Sequence, residues 1–168
     1  MIKKKVCLIG GFAVGKTSLV QRYVSGLFSD DYLTTVGVKI DQRSETLADK
    51  EVRMMIWDLA GRDQFANVTK SYLRGADGFL FVADGTRRET LTAITEELAE
   101  VRPDFPHTPS LLLLNKCDLN PDWEVSQQDL QPFQAQGMNI LRTSAKTGEN
   151  VENAFRSLAS SMTRLPAS

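Results

Sequence analysis

Long hydrophobic runs are missing from this 168-residue sequence: no apolar stretch approaches the roughly 18 residues of a membrane span, and no basic-then-apolar leader opens it. Neither a membrane-spanning nor a secreted protein is expected. Cysteine is scarce, with Cys7 and Cys117 in separate stretches, which is not the spacing of a disulfide framework or a zinc site. A reducing, cytoplasmic setting fits that scarcity. Histidine occurs once, as His107 within the Pro-rich turn Asp104 to Pro109, and is not expected to be catalytic. An excess of one charge sign is also missing: 20 basic residues stand against 21 acidic ones, for a net charge of -1. Nothing there suggests a nucleic-acid partner, and Lys3-Lys4-Lys5 reads as the solvated approach to a strand, with acidic lipid or nucleic acid as the lesser alternative. Arg164-Leu165-Pro166-Ala167-Ser168 holds no prenylatable cysteine, and Ile2 rather than glycine follows Met1, so no direct lipid anchor is expected in this chain. Any membrane association would be peripheral, through partners.

What is present is an ordinary globular composition, 42% hydrophobic and 24% charged, with no linker, internal repeat or low-complexity tract. One domain over residues 1–168 is expected. Apolar runs of strand length alternate with helix-period segments, which predicts an α/β fold of βαβ units with helices on both faces of a mostly parallel sheet. Six strands are predicted: Lys5 to Ile9, Gly37 to Leu47, Glu51 to Asp58, Gly78 to Ala83, Ser110 to Asn115 and Met138 to Arg142. The second and third are separated only by Ala48-Asp49-Lys50, too short for a crossover helix, so that pair should be an antiparallel hairpin. Two core-facing helix stripes follow from spacing: Leu91, Ile94, Leu98 and Val101, then Val151, Ala154, Phe155, Leu158 and Met162.

The first strand runs into Gly10-Gly11-Phe12-Ala13-Val14-Gly15-Lys16-Thr17, which matches G-x-x-x-x-G-K-[ST] and precedes the helix-period segment Ser18 to Val24. A helix N-terminus leaves backbone N–H groups unpaired at a positive dipole end, and a loop of small residues lets them close around phosphate oxygens. Lys16 adds a point charge, and the Thr17 hydroxyl is a hard ligand for Mg²⁺. The competing reading is a glycine-rich turn with a chance Gly-Lys-Thr, but strand, loop and helix occur in the required order.

The fifth strand leads into Asn115-Lys116-Cys117-Asp118 and the sixth into Thr143-Ser144-Ala145-Lys146. Both lie at carboxyl ends of strands, where open α/β sheets bind ligands. The Asp118 carboxylate can accept two hydrogen bonds from the N1–H and exocyclic amine of guanine, an edge adenine lacks. Sites built on such bonds discriminate by factors on the order of 10⁴ to 10⁵. A helix-cap or turn role is the alternative for Asp118.

These motifs, with Thr34-Thr35-Val36-Gly37-Val38, Ile56-Trp57-Asp58-Leu59-Ala60-Gly61 and Ser71 to Gly78, make the chain resemble the Ras-like small GTPases, the Rab branch most, along essentially its whole length. The resemblance implies the P-loop small-GTPase fold, a six-stranded sheet with one antiparallel pair. It also implies a molecular switch that binds GTP or GDP with Mg²⁺ and hydrolyses GTP. Nucleotide would be held by Gly11, Phe12, Ala13, Val14, Gly15, Lys16, Thr17 and Ser18, with Phe28 against the base. Asn115, Lys116, Asp118, Ser144, Ala145 and Lys146 would complete the base pocket. Thr17, Thr35 and Asp58 would hold the metal, Asp58 through water. Lys16, Thr35, Gly61, Arg62 and Gln64 would act in hydrolysis. A monomer is implied, with effectors, an exchange factor and an activating protein meeting the switch loops; Val38, Ile40, Trp57 and Phe65 are candidates for that surface, Trp57 equally for the core.

The chain departs from the family pattern twice. Arg62 follows the switch II glycine where the family has glutamine, and a guanidinium donates but cannot accept a hydrogen bond from water. Phe12 puts a bulky side chain where Ras proteins have glycine. Slow intrinsic hydrolysis is therefore expected, with Gln64 or a partner residue substituting, or with Arg62 stabilising γ-phosphate charge. Two alternatives stand beside this: Arg62 as a solvated switch residue in a protein that hydrolyses normally, and a permanently nucleotide-loaded binding module. An ATP-using P-loop enzyme would require Asp118 to be incidental.

Overall fold

The computed structural model describes residues 1–28, 38–59 and 69–164. Six strands form one sheet in the order β2-β3-β1-β4-β5-β6. They are β1 (Ile2–Gly10), β2 (Val38–Leu47), β3 (Lys50–Leu59), β4 (Gly78–Asp84), β5 (Ser110–Asn115) and β6 (Asn139–Arg142). All neighbours run parallel except β2 and β3, which pair antiparallel from Val38↔Leu59 to Leu47↔Lys50. The described helices are α1 (Lys16–Ser25), the single turn α2 (Thr69–Tyr72), α3 (Arg88–Val101), α4 (Gln127–Ala135) and α5 (Val151–Thr163). This is the α/β architecture expected from the alternation of apolar runs, with the six strands and one antiparallel pair that the resemblance to small GTPases implies.

Alternation along β1 sends Val6 and Leu8 to one face and Cys7 and Ile9 to the other, and all four are buried. On the first face α1 and α5 pack together, with the Tyr23 and Phe155 rings stacked at 4.0 Å between centroids. On the second face Leu91, Ile94, Leu98 and Val101 of α3 and Leu130 and Phe133 of α4 close the core. Both predicted stripes are buried, save that Met162 is only partly covered.

Several boundaries differ from expectation. Lys50 belongs to β3 and pairs with Leu47, so the hairpin loop is two residues, Ala48 and Asp49, both left-handed at φ 47 and 66. Two such residues match the right-handed strand twist, as in a type I′ turn. Lys3-Lys4-Lys5 lies inside β1 rather than before it, because Ile2 to Lys5 pair with Val52 to Met55. There the Lys5 ammonium sits 3.6 Å over the Trp57 ring, and Trp57 is half-buried against the second core. Helix α4 has no apolar stripe strong enough to read, and Pro132 lies inside it. Its signal is the start: Ser126 and Asp129 form a reciprocal capping box.

Candidate functional site

Because β1, β4, β5 and β6 are parallel, Gly10, Asp84, Asn115 and Arg142 end on one edge of the sheet. The loop from Gly10 to Gly15 occupies that edge and enters α1 at Lys16. Gly10 cannot carry a side chain, since a Cβ would stand 2.3 Å from the Val82 carbonyl oxygen. Gly15, at φ 98, would set a Cβ 2.3 Å from Asn115 Nδ2. Ala13 also lies in the left-handed region, at φ 60, which costs a non-glycine residue roughly 1–2 kcal/mol.

Side chains occupy the loop's carbonyls. Lys16 Nζ donates to Gly10 O (2.9 Å) and Gly11 O (3.0 Å), Arg87 Nη2 to Phe12 O (3.0 Å), Lys116 Nζ to Ala13 O (3.1 Å) and Asn115 Nδ2 to Val14 O (3.0 Å). Gly15 O accepts from Leu19 N within α1. Helix α1 has no side-chain cap and no acidic residue in its first turn, so the positive end that follows the loop is not offset by a side chain there. Burial pulls the Lys16 ammonium down to about 8, against the attraction of Asp58 and Glu97. An anion beside it would raise that value again. This donor set suits polyphosphate.

At the far side of the loop Thr17 Oγ1 donates to Asp58 Oδ2 at 2.6 Å, and Asp58 is fully buried near the end of β3. Among the described residues no cluster of three His, Cys, Asp or Glu could hold a metal ion. One hydroxyl and one carboxylate fit Mg²⁺, which keeps several waters and shares phosphate oxygens rather than filling an all-protein cage. Thr35, Gly61, Arg62, Gln64 and Phe65 lie outside the described residues.

The base-side residues converge around the ends of β5 and β6. Ser144 Oγ donates to Asp118 Oδ1 at 2.7 Å, and Thr147 N donates to Ser144 Oγ at 3.1 Å. Thr143 Oγ1 donates to Asn115 Oδ1 at 3.2 Å, while Cys117 N donates to Thr143 O at 3.0 Å. Ala145 is buried behind them and Lys146 is exposed. Phe28 is half-buried against the first core, Ser18 is half-buried in the first turn of α1, and the Phe12 side chain is 37% exposed.

Sequence reasoning missed Asp84, Arg87 and Arg22, and named Thr143 only as part of its motif. Asp84 extends β4 by one residue beyond the predicted end and pairs with Asn115. A charged residue closing an apolar strand, beside the strand that leads into Asn115-Lys116-Cys117-Asp118, was the available signal. Burial alone would raise its carboxyl, but hydrogen bonds from Thr86 Oγ1, Lys116, Thr86 N and Arg87 hold it below the usual carboxylate range. Arg22 of α1 reaches Lys146 O (3.3 Å) and Thr147 O (3.2 Å), a link with no local sequence signature.

Residues 5–164 match the model of the Ras family. The chain is 40% identical over 157 residues to the Ras-related protein Rab-4A of Mus musculus, covering 92% of this chain and 72% of that one. It is 38% identical over 156 residues to the Ras-related protein RABA4b of Arabidopsis thaliana (92% and 70%), and 39% over 153 residues to the Ras-related protein Rab-4B of Homo sapiens (90% and 72%).

Proposed function

The chain belongs to the Ras family of small GTPases, on its Rab branch, and from that premise we propose a GTP-dependent switch whose intrinsic hydrolysis is slow. GTP, GDP and Mg²⁺ are its cofactors and GTPase activity is its chemistry, as in the family. The whole of residues 1–168 is read as one GTP-binding domain. The observation that carries the nucleotide reading is the loop whose carbonyls, from Gly10 to Val14, all accept from side-chain donors, with the Lys16 ammonium among those donors at the N-terminus of α1.

On this reading the N–H groups from Gly11 to Ser18 and the Lys16 ammonium hold the phosphates. Thr17, Thr35 and Asp58 hold the metal, which when bound neutralises phosphate charge. Asp118, oriented by Ser144, reads the guanine edge, with Asn115, Lys116, Ala145, Lys146 and Phe28 framing the base. Thr35 and Gly61 sense the γ-phosphate, so its loss releases two loops and changes the surface that effectors and regulators meet. Ile40, 47% exposed on β2, and the half-buried Val38 are candidates for that surface.

Slow hydrolysis follows from two residues. Arg62 lacks an acceptor with which to orient an attacking water, and Phe12 crowds the approach to the γ-phosphate. Gln64 or a partner's side chain substitutes. We read the protein as a monomer of the cytoplasm, peripheral to membranes through partners; among the described residues no helix is long and apolar enough to cross one. Identifying the copurifying nucleotide and following its conversion with and without Mg²⁺ tests the reading. Slow, Mg²⁺-dependent loss of γ-phosphate supports the switch, whereas GTP that persists indefinitely marks a permanently loaded binding module.

A further inference from the structure

We propose that Arg87 is a positioning residue of the phosphate loop, bridging the buried Asp84 carboxylate to the Phe12 carbonyl and so slowing nucleotide release. The proposal rests on the nucleotide-binding reading above. Carbonyl and following N–H share one rigid peptide plane and point in opposite directions. Whatever draws Phe12 O outward therefore aims Ala13 N–H into the concavity. Lys116 does the same one residue on, through Ala13 O. Ala13 lies between these two anchored planes in a left-handed conformation that alanine does not choose on its own. Arg87 is thus one of two side chains that keep a strained residue in place.

Its reach is fixed at both ends. Arg87 N donates to Asp84 O at 2.9 Å, and its carbonyl accepts from Thr90 N (3.0 Å) and Thr90 Oγ1 (2.7 Å), so its backbone is set at the start of α3. The guanidinium is then split: Nε meets Asp84 Oδ2 at 3.0 Å, and Nη2 meets Phe12 O at 3.0 Å. Asp84 Oδ2 also takes the Lys116 ammonium at 2.9 Å, and Thr86 N and Oγ1 occupy Oδ1 at 2.9 and 2.6 Å. One carboxylate oxygen therefore carries both donors that hold Phe12 O and Ala13 O. A lysine at position 87 would keep the charge beside Asp84, but its single ammonium on a shorter stem would stop short of the Phe12 carbonyl.

The test is the release rate of a fluorescent GDP from the full chain in Mg²⁺, for the parent protein, R87A, R87K and R88A. Arg88 is the control: it starts the same helix and binds Asp129 Oδ2 at 3.0 Å and Glu124 O at 2.6 Å, away from the loop. R87A is expected to release GDP about 10- to 100-fold faster, the loss of one charge-assisted hydrogen bond. R87K should remain nearly as fast as R87A, while R88A stays within about twofold of the parent. Slow release from R87A, full rescue by R87K, or equal acceleration in R88A overturns the tether. Failure of the parent to bind guanine nucleotide would instead remove the reading on which the tether rests.

Discussion

Ser144 Oγ donates to Asp118 Oδ1 at 2.7 Å, which fixes one oxygen of the carboxylate assigned to the guanine edge. Asp118→Ala should remove base discrimination, lowering the preference for GDP over ADP by a factor on the order of 10⁴. Ser144→Ala leaves the carboxylate but frees its rotation, and should weaken GDP about 10- to 100-fold with selectivity largely kept. Competition binding with both nucleotides checks the pair.

Thr17 and Asp58 meet at 2.6 Å. If they bind Mg²⁺ together, chelating the metal should accelerate GDP release from the parent protein strongly. Thr17→Ala should release GDP fast already, with little further change on adding EDTA. Release kinetics with and without chelator measure this, and an EDTA response of parental size in Thr17→Ala would remove Thr17 from the metal site.

The buried carboxylate of Asp84 makes stability depend on acid. Its folded value lies below the ordinary one, so its contribution is complete above the unfolded value of about 3.9 and is lost as pH falls through the folded value. Asp84→Asn should lower stability at neutral pH and flatten the acid limb below about pH 4. Urea unfolding of GDP-loaded protein between pH 3 and 7 tests the sign.

Phe155 is fully buried and stacks on Tyr23 between α1 and α5. Phe155→Ala should cost about 3–5 kcal/mol through lost burial and the cavity left behind. Denaturant unfolding with the midpoint and slope both fitted measures it.

The sheet was legible because β4 and β5 are continuous apolar runs, and the hairpin because three residues cannot carry a crossover. Candidate phosphate and base residues could be named where they share a motif, as Gly15, Lys16 and Thr17 do. What stayed hidden depends on contacts between strands distant in sequence. Asp84 gains its partner Lys116 only when β4 and β5 pair, and Arg87 reaches Phe12 O across 75 positions of sequence. The strain at Ala13 is a backbone angle, which no residue name states. Helix α4 was hidden for a local reason, Pro132 in its last turns.

A GTP switch slowed by Arg62 and Phe12 is tested by single-turnover phosphate release from GTP-loaded protein in Mg²⁺. The parent rate should lie below about 10⁻⁴ s⁻¹, and should be raised by Arg62→Gln and raised further when Phe12→Gly is added. An ordinary small-GTPase rate in the parent, unchanged by Arg62→Ala, would contradict it.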